Sequence, residues 1–273
     1  MWFDLQTLLA LRVGVDVLIA LAFLAQMRRL PTVGGPGWWS LSSVLHIVGS
    51  TGLLLRGAIP DALNFSFSNV AFIGTFVFVW MGFRSHMGLP VMRWRLAVAG
   101  VLLGASFALL TAGIDTVLGR QALWAASVLV VLALFMRDLW RLQPRPAPTE
   151  FRAMNWVMLA ETAGIAGYVV AFMLLELSFQ QTTPVLVFYF LLTTMLRAIT
   201  CNSLVLLRLR QDAERARQSL QSREASSRAL IDNLSAGVMV FRPDHTLANI
   251  NSAARSFLGW SEGGANAALP EPT

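Results

Sequence analysis

The sequence predicts an all-α membrane protein with seven transmembrane helices, followed by a long coiled-coil helix and an incomplete α+β segment. Three observations support this fold class. First, 56% of the 273 residues are hydrophobic and only 13% are charged, whereas soluble domains carry about 25% charged residues. Second, seven apolar runs are long enough to cross a bilayer, which takes about 20 helical residues. Third, the polar residues gather after Leu207, which separates a membrane region from a soluble tail.

Segments rich in proline and glycine separate several of the apolar runs. PTVGGPG occupies residues 31–37 and QPRPAP occupies residues 143–148, and such sequences favour turns over helix. The first run is not expected to be a cleavable signal peptide, because MWFD rather than a basic segment precedes it. The predicted spans are Leu5–Met27, Trp38–Gly57, Ala62–Phe83, Leu96–Thr116, Ala122–Trp140, Ala153–Ser178 and Val185–Leu207.

The placement of arginine predicts the orientation of the spans. All 21 basic residues are arginine, and they concentrate after the first, third, fifth and seventh runs. The alternate connections hold only Arg56 and Arg120. Because cytoplasmic loops carry the excess of basic residues, the N-terminus is predicted outside and the C-terminus in the cytoplasm of a bacterial inner membrane. The outward loops are too short for a folded domain, so we expect any stimulus to arrive within the membrane, at the outer mouth of the bundle or through a partner protein.

Polar residues inside the predicted spans are candidates for sensing or pairing, because such residues are costly in a bilayer. Two of them lie four residues apart on one helix face and can pair with each other, and two others lie at matching depth on different spans. Three roles are open for the group: internal pairs that fix helix register, the lining of a ligand cavity, or a path for protons or ions. The candidates are the adjacent pair Arg12 and Asp16, the depth-matched pair Glu161 and Arg197, and the single residues His46 and Asn69.

Several classes of site are excluded by composition. The single Cys201 lies within a span, which excludes an internal disulfide framework or a cysteine-rich metal site. A retinal protein needs a lysine and a membrane haem needs axial histidines, but the chain has no lysine and only His46 lies within a span. The net charge of +6 fits membrane orientation better than nucleic-acid binding. We therefore expect no catalytic residues, cofactor, metal or nucleic-acid partner, and the ligand is unknown.

The segment after the last span predicts a coiled-coil helix over residues 208–234. It contains no glycine or proline, and hydrophobic or small residues recur with alternating spacings of three and four. The core is weak in its middle, where Arg223 and Ser227 occupy core positions, so the helix forms either a marginal parallel homodimer or a solvated single helix. A weakly packed coil can shift at low energetic cost, which suits a signal relay. The core positions of the predicted 206–234 coil are Leu206, Leu209, Ala213, Ala216, Leu220, Leu230 and Leu234.

The pattern changes after Leu234 from helical to short extended segments. Ser235–Gly237 is predicted to end the helix, and Val238–Phe241 and Leu247–Ile250 are predicted to form a hairpin around a turn that contains Pro243 and Asp244. Residues 251–259 are predicted to form a short helix that ends at a glycine.

The run ALIDNLSAGVMVFRPDHTLANINSAARSFLGWSE at residues 229–262 resembles the opening of a PAS domain. Leu234 corresponds to the end of the lead-in helix, Gly237–Phe241 to the first strand and Asp244 to the turn. Asn251–Ser261 matches the pattern N-x-A-A-x-x followed by two hydrophobic residues, glycine, a hydrophobic residue and serine. A PAS sheet has more strands than the two predicted here, so the resemblance implies a partial PAS domain at 235–261. A disordered tail is predicted at 262–273.

The membrane region, residues 1–207, is similar in layout to the seven-span sensory regions of bacterial PAS-containing sensor histidine kinases and diguanylate cyclases with GGDEF domains. The resemblance implies a sensory protein of two-component or related signalling, whose full-length relatives would carry a kinase or cyclase. The 273 residues contain no phosphoacceptor histidine box, GGDEF motif, P-loop or HExxH motif. The alternative is a transporter or channel for a small solute or ion that uses the intramembrane charged residues.

Overall fold

The computed structural model describes residues 4–91, 93–113, 117–174 and 179–260. The chain divides into two compact units, Met1–Leu206 and Leu207–Thr273. The tail predicted to be disordered, 262–273, lies outside the described residues, as do the predicted ends of the fourth and sixth spans. The elements are α1 (Leu5–Arg29), α2 (Pro36–Leu54), α3 (Asp61–His86), α4 (Arg93–Gly113), α5 (Val117–Leu142), α6 (Thr149–Leu174), α7 (Phe179–Asp232), β1 (Met239–Phe241), β2 (Leu247–Ile250) and α8 (Ser252–Leu258).

Local sequence signals account for the ends of the first two helices. The Asp4 carboxylate caps α1 by accepting a 2.6 Å hydrogen bond from the Thr7 amide, and this bond holds the pKa of Asp4 below its usual value. Arg28 and Arg29 occupy the last turn of α1, where positive charge complements the helix dipole. Before α2, Gly35 adopts a φ of 111°, which glycine tolerates, and Pro36 begins the helix.

Four helical segments are long and apolar enough to cross a membrane, so the chain has the helices of a membrane-embedded protein. Within the described residues they are Leu5–Arg29, Leu63–His86, Gly119–Leu142 and Thr183–Asp232. In α4, Val98–Phe107 forms a shorter apolar stretch. Large hydrophobic side chains cover the outside of the first unit, including Leu18, Val101 and Trp156, each more than two-thirds exposed. An apolar exterior of this kind is expected of a surface that faces lipid.

The helix α2 carries serines whose hydroxyl groups bind neighbouring helices. The Ser40 hydroxyl donates to the carbonyl of Ala20 in α1, at 2.9 Å. The Ser42 hydroxyl donates to the carbonyl of Thr75 in α3, at 3.0 Å. These hydrogen bonds satisfy polar groups inside the bundle, where a lipid interior would supply no water to do so.

The first unit packs its helices mainly against their neighbours in sequence, with α3 also touching α5. The seventh helix packs on α1 through a hydrophobic cluster of Leu8, Leu9 and Val187. Towards its other end, the Gln26 amide of α1 donates to the Asn202 amide oxygen of α7 at 2.5 Å. The start and the end of the bundle are therefore in direct contact.

The second unit contains the exposed continuation of α7, the hairpin and α8. The predicted hairpin is confirmed: β1 pairs antiparallel with β2, and the register shifts between Val240 and Phe241. The predicted last span, Val185–Leu207, and the predicted coiled-coil helix, 208–234, form one continuous helix, α7, which begins at Phe179 and ends at Asp232. The earlier end follows from a polar contact: the Asn251 amide donates to the carbonyl of Ile231 at 2.9 Å, in the last turn of α7.

Asn251 organises the hairpin and the short helix that follows it. Its side-chain oxygen accepts hydrogen bonds from the amides of Val238 and Ala254, at 2.8 and 2.9 Å. Its side-chain nitrogen donates to the carbonyls of Ile231 and Ala236. The side chain is 1% exposed, so one amide caps α8 and ties it to α7 and to the segment before β1 with its full hydrogen-bonding capacity of two donors and two acceptors.

Candidate functional site

Three of the polar residues predicted from sequence form one buried cluster between α1 and α2. Arg12 Nη2 contacts His46 Nε2, and His46 Nδ1 lies 3.3 Å from Asp16 Oδ1. Because a guanidinium group only donates, Nε2 must accept, which places the ring proton on Nδ1 as the donor to Asp16. Arg12 Nε also lies 4.0 Å from Asp16 Oδ2. The histidine therefore bridges a pair that the spacing of four residues had already suggested.

A second buried cluster joins α6 to α7. Arg197 Nη1 donates to Glu161 Oε1 at 2.5 Å, and Arg197 Nη2 donates to the Thr194 hydroxyl at 3.4 Å. Glu161 is 0% exposed and Arg197 is 5% exposed. The matching depth inferred from sequence thus corresponds to a direct ion pair, which fixes α7 against α6.

Phenylalanine rings separate the two charged clusters. The Arg12 guanidinium lies 5.8 Å from the centre of the Phe190 ring, and the Arg197 guanidinium lies 5.5 Å from the centre of the Phe76 ring. The two rings themselves meet edge to face, with centroids 6.3 Å apart. Since each cation also faces an aromatic ring, the clusters hold α1, α3 and α7 together through cation–π contacts in a medium of low dielectric constant.

The carboxylate in each of these two clusters keeps one oxygen without a hydrogen bond among the described residues. These atoms are Asp16 Oδ2 and Glu161 Oε2. Half-satisfied buried charges are expensive, so both clusters are sensitive to any change in the surrounding helices. The two arginines and two carboxylates sum to zero formal charge, which is the balance expected of internal pairs.

A cavity of about 80 Å³ adjoins the first cluster and is partly open. Asn69, the remaining candidate, lies on its wall rather than in either charged cluster. The cavity occupies the half of the bundle formed by the ends of α2 and α6 and the first parts of α1, α3, α5 and α7. Its walls are mainly aromatic and aliphatic: Arg12, His46, Leu53, Phe65, Asn69, Phe72, Phe76, Gln121, Trp124, Tyr168, Thr183, Leu186, Val187 and Phe190.

Sequence reasoning missed a third polar cluster around Asp138, near the end of α5. The Asp138 carboxylate accepts hydrogen bonds from Trp80 Nε1 at 2.9 Å and from Arg84 Nη1 at 2.5 Å. Arg137 also pairs with it at 3.0 Å. The sequence pattern explains these arginines by membrane orientation alone, and the lone acidic residue among them is the signal that points to the cluster.

Comparisons with protein-family models, curated proteins and solved structures found no match for this chain. Within the described residues, no group of three or more histidine, cysteine, aspartate or glutamate side chains could hold a metal ion. The features of the chain that bear on its function are the buried clusters, the cavity and the continuity of α7.

Proposed function

We propose that the protein is a membrane-bound sensory protein that relays a stimulus from the helical bundle through α7 to a cytoplasmic output. The observation that carries this proposal is the continuity of α7, a single helix from Phe179 to Asp232. One stretch of it carries Arg197 of the buried ion pair, and its last turn is tied to the PAS-like hairpin through Asn251. A displacement of α7 in the bundle would reach the hairpin without crossing a loop.

In this proposal all seven long helices cross the membrane, with the N-terminus outside and the C-terminus in the cytoplasm of a bacterial inner membrane. The alternation of arginine-rich and arginine-poor connections supports this topology. The serines of α2 have partners on neighbouring helices, which makes a spanning position for α2 physically reasonable.

In this proposal two copies of the chain form a homodimer by pairing their 206–234 helices as a coiled coil. Leu220 and Leu230 occupy predicted core positions and are about 70% exposed in the single chain. Leucines at such spacing are normally buried by a partner helix. Both copies would enter from the same side of the membrane, so the dimer would be parallel and in register.

The resemblance to PAS domains supports a signalling output of the kinase or cyclase class. The hairpin, the capped helix α8 and the central role of Asn251 agree with the opening of such a domain. The competing function is a transporter or channel, which the four buried charges and the adjoining cavity favour. Against it, each of these charges already has a partner of opposite sign.

Cysteine crosslinking in membranes tests the dimeric relay. In a Cys201→Ala background, Leu209→Cys and Leu220→Cys should form disulfides between copies, because both are predicted core positions. Gln211→Cys and Gln218→Cys serve as matched controls, since the same heptad places them on the outer face of the coil. Equal crosslinking at all four positions, or none at the leucines, would contradict a specific dimer.

A further inference from the structure

Four polar side chains on the wall of the cavity have no hydrogen-bond partner among the described residues. The Trp124 indole nitrogen and the Thr183 hydroxyl are buried and have no partner among the described residues. The side-chain amides of Asn69 and Gln121, both half-buried, form no hydrogen bond within the described part of the chain. Trp124 is 7% exposed and Thr183 is 4% exposed. Polar groups left unpaired at this depth are costly, so their clustering on one cavity indicates a ligand.

The unpaired groups define the polar end of that ligand. An indole N–H can only donate, so the ligand must present an acceptor to Trp124. The Thr183 hydroxyl and the two amides can also donate to an oxygen. The remaining wall is aliphatic and aromatic, with Phe72, Phe76 and Phe190 among its members. The ligand therefore combines an acceptor oxygen with an apolar body.

The charges around the cavity favour a ligand whose acceptor group is uncharged. Among the described residues of the wall, Arg12 alone is permanently charged, and its charge is already balanced by Asp16 at 4.0 Å. Arg56 and Arg120 pack over the Phe65 ring, at 5.0 and 4.4 Å from its centre, but both have further interactions and neither is part of the wall. A carboxylate would lose its hydration without gaining a counter-ion, which disfavours it.

The size of the cavity sets how much of the ligand it can hold. Its volume of about 80 Å³ is roughly half that of an apolar protein cavity of about 150 Å³ that takes up benzene. The cavity thus accommodates a polar end and a few carbon atoms. Because it is partly open, a longer apolar body can continue outward.

We propose that this cavity binds an uncharged, membrane-soluble molecule through a carbonyl oxygen that accepts hydrogen bonds from Trp124 and Thr183. The inference rests on the proposed sensory function, for which this molecule would be the stimulus. Two sources share the chemistry: a quinone of the membrane and a short aliphatic ketone or ester. Four side chains on α3, α5 and α7 would contact the carbonyl end, so its binding would bear directly on the position of α7.

Equilibrium dialysis with the full chain in lipid nanodiscs tests the proposal. Radiolabelled 2-nonanone and menadione are the probes, and uptake by empty nanodiscs is subtracted. At least one probe should bind saturably. Competition between the two probes should then identify the source of the ligand. Displacement of 2-nonanone by menadione indicates a site that accepts quinones, whereas lack of displacement indicates a site for aliphatic molecules. Nonane and nonanoate should compete at least about tenfold more weakly, because one lacks the acceptor and the other is charged.

Variants separate the carbonyl contact from general partitioning. Trp124→Phe and Thr183→Val should each weaken binding about three- to tenfold, the effect of losing one buried hydrogen bond. Trp156→Phe is the matched control, since Trp156 is 73% exposed on the lipid-facing side of α6, and it should bind as the wild type does.

The proposal is overturned if neither probe saturates, if nonane or nonanoate binds as tightly as the ketone, or if both cavity variants bind normally. The assay does not involve the coil, so its failure and the failure of the crosslinking test are distinguishable.

Discussion

Buried charges in the bundle act as connectors between helices, each through a small number of contacts. Arg197 holds Glu161 at 2.5 Å across α6 and α7, and His46 completes the pair between Arg12 and Asp16. Removing one partner of a buried pair leaves the other charge uncompensated and costs about 3–5 kcal/mol. These residues are therefore both structural and well placed to register a change in the bundle.

Charge reversal tests the pair between α6 and α7. Glu161→Arg and Arg197→Glu should each reduce the thermal stability and the yield of the detergent-solubilised chain, by about 3–5 kcal/mol in stability, because each places like charges together. The double variant should recover a substantial part of both losses. If the double variant loses as much stability as the two single variants lose together, the result would count against a direct pair. The stability can be followed by tryptophan fluorescence during heating.

At the scale of single elements, the second unit depends on one side chain to hold three segments together. The Asn251 amide bonds to α7, to the segment before β1 and to the first turn of α8. The following helix then ends at Gly259, which adopts a φ of 66°. The hairpin is thus fixed by polar capping as much as by its small apolar core, whose buried members include Ile250 and Ala254.

Asn251→Ala should loosen this unit selectively. Loss of a buried amide that makes four hydrogen bonds leaves backbone groups unpaired, at a cost of about 1–3 kcal/mol or more. Limited proteolysis should cut faster between Leu234 and Ala254, while fragments of the bundle keep their wild-type pattern. Asn249→Ala is the control, because Asn249 is exposed and, among the described residues, its side chain bonds only to the adjacent Ile250 amide. Equal cleavage of both variants would show that Asn251 does not organise the segment.

Much of this element-level structure could be predicted from the sequence, for identifiable physical reasons. Strand, turn and helix at 238–259 follow local patterns, and the pairing of Arg12 with Asp16 follows helical spacing. The hydrogen bonds of His46 and the cluster at Asp138 could not be predicted, because they join residues 30 and 54 positions away. The cavity could not be predicted from the sequence either, because its unpaired groups come from α3, α5 and α7, and only the packing of these helices brings them together.

At the scale of the whole molecule, the proposed relay depends on the length of α7. The helix belongs to both compact units, and its residues between Gln211 and Leu230 are exposed. A helix stabilised by a second copy in this stretch could change its packing without disturbing the bundle. The buried pair at Arg197 supplies the contact through which the bundle would act on it.

The measurement that tests this relay most directly is the rate of disulfide formation at Leu220→Cys, in the Cys201→Ala background, with and without Glu161→Gln. Neutralising Glu161 unpairs Arg197, so α7 should shift and the rate should change about threefold or more, the effect of about 0.7 kcal/mol on the coil equilibrium. Trp156 lies on the same helix and is 73% exposed, so Trp156→Phe should leave the rate unaltered. An unchanged rate in a Glu161→Gln variant that remains folded and dimeric would contradict transmission through α7.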